Sequence, residues 1–248
     1  MPAKQQRNLY KSFKLTKRKI LTLRNEMKKN DSYNNTANSI SGRTEVKLKI
    51  CGMKYSENIL EISTLLPDYM GFIFWEKSNR FFDGLLPEIP KSIQKVGVFV
   101  DAPLEEINAK IKKYNLDVIQ LHGHESVAFC EHLKQSGTKI IKVFSVLDGF
   151  DFSILKNYEA VCDYFLFDTK GKLPGGNGTT FDWKVLENYP SSKPFFLSGG
   201  IGLEEIESIQ ELLKTNLPLH AIDVNSKFEI EPGLKNKNIL HEFKINIK

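Results

Sequence analysis

The run VGVFVDAPLEEINAKIKKYNLDVIQL, residues 96–121, contains one unit of the pattern that decides the fold. Its first five residues are continuously apolar, which is typical of a parallel strand covered on both faces. The Asp-Ala-Pro-Leu-Glu that follows supplies a cap and an early proline, and residues 104–114 are predicted to be the helix that it starts. Residues 118–121 form the next apolar run, so the unit has the order strand, helix, strand.

The same alternation extends from residue 46 onward. Strands are predicted at residues 46–51, 69–75, 96–100, 118–121, 139–146, 164–167, 194–197 and 221–224. Helices are predicted at residues 56–66, 85–92 (a weak one), 104–114, 125–135, 152–158, 183–187, 203–213 and 239–243. Eight strands, each followed by a helix, predict an α/β fold of the (β/α)₈ TIM-barrel type in a single domain. An open doubly wound sheet is the rival, but eight units in about 200 residues favour the closed barrel.

A basic N-terminal extension, residues 1–45, is predicted to lie outside the catalytic domain at residues 46–248. Residues 1–46 contain 11 Lys or Arg and 3 Asp or Glu, so the rest of the chain has 24 basic and 27 acidic residues. Residues 30–39 have no apolar periodicity, which predicts a flexible segment. Three interpretations of the extension stay open: a dispensable or over-long start, an organelle-targeting segment, and a tail that binds an anionic partner.

Composition and cysteine spacing exclude several classes of protein. The three cysteines cannot all pair and show no Cys-x-x-Cys spacing, so neither a disulfide framework nor a zinc cluster is expected. A reducing cytoplasm fits this best. No run approaches the roughly 18 apolar residues that a membrane span needs, so no membrane partner is expected. Because the body of the chain is slightly acidic, nucleic acid is not expected as its partner.

Reactive side chains follow the predicted strands at their C-terminal ends, which is where barrel enzymes place their active sites. In chain order the set is Cys51, Arg80, Gln120, His122, Asp168 and Asp223. Three of them have a structural alternative: a lone Cys51 is more often a packing thiol, Asp168 could cap a turn, and His122 could be a hydrogen-bonded rim residue. The set is nevertheless unusually rich in reactive types, which favours an acid–base site at one rim.

Glycine-rich turns follow the predicted strands 7 and 8, where barrels commonly bind phosphate through backbone N–H groups. Gly199 and Gly200 lie on the first turn, and Asn225 and Ser226 lie on the second. The run LPGGNGTT, residues 173–180, is too small and polar for a core, and it predicts a loop that closes over a ligand through Gly176 and Gly178. A plain tight turn and a plain surface loop are the alternatives.

Taken together, these motifs resemble those of the phosphoribosylanthranilate isomerase family, the barrel enzymes of tryptophan biosynthesis. The resemblance covers residues 46–248 and rests on eight motifs in the same order. They are KICGM at 49–53, GFIF at 71–74 with SNR at 78–80, VGVFV at 96–100, QLHG at 120–123, DT at 168–169, GGNG at 175–178 with FDW at 181–183, SGG at 198–200, and DVNS at 223–226.

The resemblance implies an Amadori rearrangement of N-(5-phosphoribosyl)anthranilate to 1-(2-carboxyphenylamino)-1-deoxyribulose 5-phosphate. In that scheme Asp168 is the general acid and Cys51 the general base. The roles require a protonated aspartate and a thiolate, the reverse of what ordinary pKa values of about 3.9 and 8.5 give, and nearby positive charge is expected to lower the pKa of the thiol.

Binding roles are implied for the remaining residues of the set. Arg80 would hold the anthranilate carboxylate with Gln120 and His122 beside it. Gly199, Gly200, Asn225 and Ser226 would bind the phosphate, with Asp223 also at the substrate. No metal or organic cofactor is implied, and the protein is expected to be a monomer.

Two other functions remain as alternatives. The isomerase of histidine biosynthesis catalyses a related rearrangement, but it resembles a duplicated half-barrel, and the predicted strands 3 and 4 have no second Gly-Gly turn. A non-catalytic phosphate binder is the second, and the joint presence of Cys51, Arg80 and Asp168 argues against it. Three residues depart from the family pattern: Asn79 replaces a common proline, and Asn225 and Lys227 replace serine and glycine.

Overall fold

The computed structural model describes residues 45–147, 149–168 and 183–247. Predictions for the extension, apart from Glu45, and for the closing loop with Gly176 and Gly178 lie outside the described residues. Within them the chain alternates strands and helices, as the sequence predicted, and eight parallel strands close into a barrel. The (β/α)₈ prediction is therefore confirmed and the open sheet is excluded.

The barrel strands follow one another in chain order, and β8 pairs with β1 to close the ring. Their bounds are β1 Lys47–Ile50, β2 Tyr69–Ile73, β3 Gln94–Phe99, β4 Val118–Leu121, β5 Lys139–Ser145, β6 Tyr164–Asp168, β7 Phe195–Ser198 and β8 Leu219–Val224. In the closing pair Lys49 lies beside Asp223. This register brings a basic and an acidic side chain together at the seam.

Five α-helices cover the outside of the barrel within the described ranges: α1 Ser56–Ser63, α2 Leu104–Tyr114, α3 Val127–Lys134, α4 Ile206–Leu213 and α5 Lys237–Asn246. Three predicted helices differ in the structure. Residues 85–92 form no helix, because Pro87 and Pro90 interrupt the segment. The other two, Phe152–Asn157 and Trp183–Asn188, are 3₁₀ helices.

A short antiparallel hairpin follows the last barrel strand and was not predicted. It consists of β9 Glu229–Glu231 and β10 Leu234–Lys235. Two- and three-residue strands are too short to show a period in the sequence. The hairpin matters because it carries charged side chains back toward the barrel mouth.

Apolar side chains fill the space on both sides of the sheet. Inside the barrel a separate cluster of buried residues is built from Tyr69, Val96, Val118, Ile141, Val143, Leu166, Phe196 and Ala221. Side chains alternate along each strand, so the residues between them pack outward against the helices. The interior is therefore a packed core, and polar groups are left for the layer at the C-terminal ends of the strands.

His220 lies near the N-terminal end of β8, in an aromatic setting that should make stability depend on pH. Its Nε2 atom is 2.8 Å from the Oη of Tyr69, and its ring packs on Tyr164 and Phe196. Burial lowers the pKa of His220 to about 4, with Lys47 and Lys139 adding to this effect and Asp68 opposing it.

Because the unfolded chain holds this proton up to about pH 6.5, the stability that neutral His220 contributes is present above that pH and lost toward pH 4. We expect the melting temperature to fall more between pH 7 and pH 5 in the unmodified protein than in a His220→Gln variant, by a few degrees. Thermal melts at both pH values measure this difference. Equal falls in the two proteins would contradict a neutral buried imidazole.

None of the helices in the described part of the chain is long and apolar enough to cross a membrane.

Candidate active site

Cys51 follows β1 directly and is 5% exposed. Its backbone N–H donates to the carbonyl oxygen of Val224 at 2.9 Å, which fixes the residue against β8. The neighbouring strand makes room for the thiol through Gly71, where an added Cβ would lie 2.7 Å from the Sγ atom. The sulfur therefore occupies the space that any larger residue at position 71 would fill.

Lys49 lies two residues before Cys51, so both side chains point into the barrel. It is fully buried, and its Nζ atom lies 2.6 Å from Oδ2 of Asp223. Burial disfavours the ammonium, but the carboxylate of Asp223 and the thiol of Cys51 outweigh it and raise the pKa of Lys49. A permanent positive charge is thus placed beside the thiol. The sequence interpretation missed Lys49, although its spacing from Cys51 was a usable signal.

The thiol of Cys51 differs from its predicted state. Burial raises its pKa above the ordinary value, and the nearby Lys49 and Lys235 oppose this rise without reversing it. The two ammonium groups act on the pKa in the expected direction, but the expectation that they would bring it below the ordinary value is wrong. Desolvation exceeds the attraction of the two ammonium groups because the sulfur is wholly enclosed.

Asp168 is the last residue of β6 and is 4% exposed. The hydroxyl of Ser198 donates to its Oδ1 atom at 3.4 Å, and Nε2 of His122 lies 3.5 Å from its Oδ2 atom. β6 is three strands from β1 around the closed barrel. Asp168 and Cys51 therefore approach the barrel mouth from nearly opposite sides, as an acid and a base that flank a sugar would.

Two buried acceptor atoms face the same interior without a hydrogen-bond partner among the described residues. They are Oε1 of Gln120 and Oδ1 of Asp223. An unpaired buried acceptor is costly, so such atoms commonly mark a place where a ligand donates. Both residues belong to the predicted substrate-binding set.

The loop after β4 carries His122 and is held from below by a buried ion pair. Nζ of Lys142 lies 3.0 Å from Oε2 of Glu125 and also donates to the carbonyl of Gly123 at 2.8 Å. Glu125 in turn accepts from the backbone N–H groups of Gly123 and Asp101. This network fixes the loop, and with it the position of the imidazole beside Asp168.

The two predicted phosphate turns lie next to each other. Gly199 and Gly200 have φ values of 110° and 70°, which favour glycine. An added Cβ on Gly202 would lie 3.3 Å from Cβ of Lys227, so the turns after β7 and β8 are in contact. Apart from the chain neighbours of Gly200, no atom of the described residues lies within 4 Å of a Cβ built on it, so these residues leave the surface of the turn open.

The side chain of Asn225 is oriented by contacts other than the predicted one to phosphate. Its Oδ1 atom accepts from Nζ of Lys235 at 2.6 Å. A Cβ on Gly52 would lie 2.7 Å from that same oxygen, which puts the amide on the Cys51 side of the turn. Ser226 begins the 3₁₀ helix Ser226–Phe228 and is exposed. The phosphate roles of these two residues stay predictions.

Arg80 lies in the segment between β2 and β3 and is paired with an acidic residue that the sequence interpretation did not name. Its Nε atom lies 2.8 Å from Oε1 of Glu229, and its Nη2 atom lies 2.6 Å from Oε2. The carboxylate raises the pKa of Arg80 through these hydrogen bonds. Glu229 and Lys235 come from the unpredicted hairpin, and no periodic signal pointed to either.

Within residues 45–147, 149–168 and 183–247, no group of three or more His, Cys, Asp or Glu side chains could hold a metal ion.

The contact between Gly71 and Cys51 gives a steric prediction. A Gly71→Ala variant should displace the sulfur, because the new methyl group would overlap it at 2.7 Å. We expect the catalytic rate to fall by at least about tenfold, since small misplacements of a reacting group are costly. Gly84→Ala is the matched control, because its Cβ would meet only the ring of Phe82 at 3.6 Å.

Steady-state kinetics and thermal melting of both variants measure the effect. If Gly71→Ala keeps the rate of the Gly84→Ala control, Cys51 has no strict position and its catalytic role is contradicted.

Comparison with known proteins agrees with this geometry. A family model described as N-(5'phosphoribosyl)anthranilate (PRA) isomerase matches residues 48–246. The N-(5'-phosphoribosyl)anthranilate isomerase of Parabacteroides distasonis is 42% identical over 202 residues, which cover 79% of this chain and 90% of that protein. The protein of the same name from Phocaeicola vulgatus is 41% identical over 197 residues, which cover 79% and 95%.

Solved structures have the same architecture. Phosphoribosyl anthranilate isomerase from Thermotoga maritima superposes with a TM-score of 0.70 at 30% identity, and the match covers 82% of this chain and 98% of that one. A phosphoribosyl anthranilate isomerase in complex with reduced 1-(o-carboxyphenylamino)-1-deoxyribulose 5-phosphate gives a TM-score of 0.68 at 28% identity, with coverage of 82% and 98%.

Proposed function

The chain belongs to the N-(5'-phosphoribosyl)anthranilate isomerase family, and on that premise we propose how its residues carry the reaction. The activity is the aldose–ketose rearrangement of phosphoribosylanthranilate in tryptophan biosynthesis. We assign Asp168 as the general acid and Cys51 as the general base. The observation that carries this assignment is that both groups are buried at the ends of β1 and β6, across one barrel mouth.

Two proton transfers, one to the ring oxygen and one from C2, convert the substrate to an enolamine. Asp168 gives its proton to the oxygen of the ribose ring, the bond from that oxygen to C1 breaks, and a cationic imine forms between C1 and the anthranilate nitrogen. The thiolate of Cys51 then removes the proton on C2, and the electrons of that bond move to neutralise the nitrogen. The resulting enolamine then gains a proton at C1 and loses the proton of its 2-hydroxyl, which gives the ketose. The protons and electrons balance within the substrate and the two side chains, so no electron acceptor is needed.

The cationic intermediate helps to explain how a buried thiol can act as a base. Burial raises the pKa of Cys51. A positive imine beside the sulfur favours the thiolate, in the same direction as Lys49 and Lys235 already do. A thiolate of raised pKa is also a stronger base once it forms. We therefore assign Cys51 as the base of the second step, in which the cationic imine supplies further positive charge that favours the thiolate.

The anthranilate end of the substrate is assigned to Arg80, Gln120 and His122. An arginine suits a planar carboxylate because its N–H groups can donate two parallel hydrogen bonds. The unpaired oxygens of Gln120 and Asp223 are acceptors for substrate N–H or O–H groups. These assignments place the aromatic ring toward β2 and the sugar between Cys51 and Asp168.

The phosphate end is assigned to Gly199, Gly200, Asn225 and Ser226. The open turn at Gly200 supports this, because its backbone is accessible to an anion. Gly176 and Gly178 are proposed to close the site from the loop after β6.

The activity is tested by following the loss of anthranilate fluorescence when purified protein meets freshly generated phosphoribosylanthranilate. We expect the signal to fall much faster than in buffer or with heat-denatured protein. If the decay equals the spontaneous rate while the reduced product analogue still binds, the non-catalytic binder becomes the better description.

Three further expectations remain proposals. A cytoplasmic location is supported by three free thiols at Cys51, Cys130 and Cys162. A monomer stays a proposal, and sedimentation analysis tests it. Separation of residues 1–45 from the catalytic domain is supported by the family model, which begins at residue 48.

A further inference from the structure

Glu229 accepts hydrogen bonds from three residues at the edge of the active site. Besides Arg80, it accepts from Nζ of Lys235 at 2.7 Å and from the backbone N–H of Gly233 at 3.0 Å. Its side chain is 5% exposed and that of Lys235 is 0% exposed, whereas Arg80 keeps 24%. Arg80 is thus the most exposed of these three charged side chains.

The hydrogen bonds to Glu229 use only one edge of the Arg80 guanidinium. They involve the N–H of Nε and one N–H of Nη2. A guanidinium has five N–H donors, so the second N–H of Nη2 and both of Nη1 remain for other partners. Two of these are parallel at the tip of the side chain, which is the arrangement that a carboxylate accepts end-on.

The stem of the Arg80 side chain is close to the end of β1. An added Cβ on Gly52 would lie 2.7 Å from Cδ of Arg80, and Gly52 directly follows Cys51. Arg80 therefore packs against the turn that carries the proposed base.

The hairpin that supplies Glu229 and Lys235 is itself anchored. The side chain of Asn58, on α1, accepts from the backbone N–H of Lys235 at 2.8 Å and donates to its carbonyl at 2.9 Å. The ammonium of Lys235 also donates to the backbone oxygen and to the Oδ1 of Asn225, at 3.1 and 2.6 Å. Glu229 is consequently held, through the hairpin, by α1, which does not contact the substrate in the proposed scheme, and by the turn after β8 that carries Asn225.

We propose that Glu229 and Lys235 are positioning residues, which fix Arg80 so that its end-on N–H pair faces the carboxylate of the anthranilate ring. The inference rests on the proposed function, because it presumes that Arg80 binds this carboxylate. It adds that the specificity for a carboxylated aromatic amine depends on a hairpin outside the barrel. A flexible arginine would lose side-chain entropy when it binds the carboxylate. Because the network already restricts Arg80 in the folded protein, less entropy is lost on binding.

Net charge must be separated from positioning, because Glu229→Gln alone would add positive charge to the site and attract any anion. A Glu229→Gln, Lys235→Met double variant removes one negative and one positive charge together, so the net charge stays the same. Glu229→Asp is a second variant that keeps the carboxylate but shortens its reach by one methylene. Both variants keep Arg80 but change the contacts that fix the orientation of its side chain.

The experiment compares two probes by calorimetric titration: reduced 1-(o-carboxyphenylamino)-1-deoxyribulose 5-phosphate and the same compound without the carboxyl group. In the unmodified protein we expect the carboxylated probe to bind about 10- to 100-fold more tightly, as for a charge-assisted pair of hydrogen bonds. The preference should disappear in Arg80→Ala. Measured as the ratio of the two affinities, it should fall by about tenfold in the double variant and by a smaller factor in Glu229→Asp. Both probes carry the phosphate, so an effect of Lys235 on Asn225 cancels in this ratio.

A preference that is lost in Arg80→Ala but kept in both positioning variants would overturn the inference and leave the proposed function intact. A preference that is absent from the unmodified protein, or that survives in Arg80→Ala, would overturn the assignment of Arg80 and the inference with it. Thermal melting of each variant shows that folded protein is being titrated, and Glu229→Asp serves if the double variant does not fold.

Discussion

Replacing Cys51 with alanine is expected to lower kcat by about 1,000-fold, in the range that general-base catalysis contributes. The thiolate acts on the C2 proton only in the transition state, so KM should change little. The contact that anchors the residue comes from its backbone N–H to Val224, and alanine retains it. Michaelis kinetics followed by anthranilate fluorescence measure both constants.

Cys130→Ala is the matched control, because this thiol is also buried but lies on α3, on the outer side of the barrel. We expect its kcat to stay within about twofold of the unmodified protein, since conservative changes away from the reacting atoms leave catalysis intact. A Cys51→Ala enzyme that turns over as fast as this control would remove the assigned base.

The pH dependence of kcat/KM is an independent test of Cys51 as the base. A general base works only when deprotonated, so the rate rises with pH through its pKa. Burial raises the pKa of Cys51, and the rise in kcat/KM should therefore extend to the alkaline side of the ordinary thiol range. The Cys51→Ala variant should lack this rise. A profile in the unmodified protein that is flat above neutrality would contradict a buried thiol as the base.

The sequence was a good guide where one element decides its own structure. Residues 104–114 and 118–121 form the predicted helix and strand with the predicted bounds, because apolar periodicity and caps are local. The predicted helix at residues 85–92 was wrong, and Leu85 is 84% exposed where a packed helix would bury it. Two prolines there outweighed a weak apolar pattern.

The residues of the active site also fall into those that local sequence patterns predicted and those that only the tertiary structure shows. The strand-end rule places Cys51 and Asp168 at the barrel mouth without any knowledge of contacts. Lys49 acquires its role only when β8 closes on β1 and brings Asp223 beside it. Glu229 reaches Arg80 across 149 positions of the chain, and no pattern within a short window records such a pairing. What the sequence missed was therefore the network that holds the reacting groups, since that network is made by tertiary structure.

Asp168→Asn is expected to lower kcat by about 1,000-fold as well, because an amide has no proton of suitable acidity to give to the ring oxygen. The amide keeps the size of the carboxylate and an oxygen that can accept from Ser198 at the site of the present 3.4 Å contact. The fold and the pocket should therefore be preserved. Titration with the reduced product analogue should show an affinity close to that of the unmodified protein, while the fluorescence assay shows the loss of turnover.

Asp117→Asn makes the same chemical change at the opposite end of the barrel, where Asp117 precedes β4 and accepts from the backbone N–H of Lys95. Turnover of this variant should match that of the unmodified protein. If Asp168→Asn also keeps its rate, the acid that opens the ribose ring must be another group, and His122, 3.5 Å from the carboxylate, would be the next residue to replace. If Asp168→Asn loses binding along with turnover, Asp168 holds the sugar and its role as the acid fails. Loss of turnover with binding intact is the result that a proton donor requires, because its contribution is made after the substrate is bound.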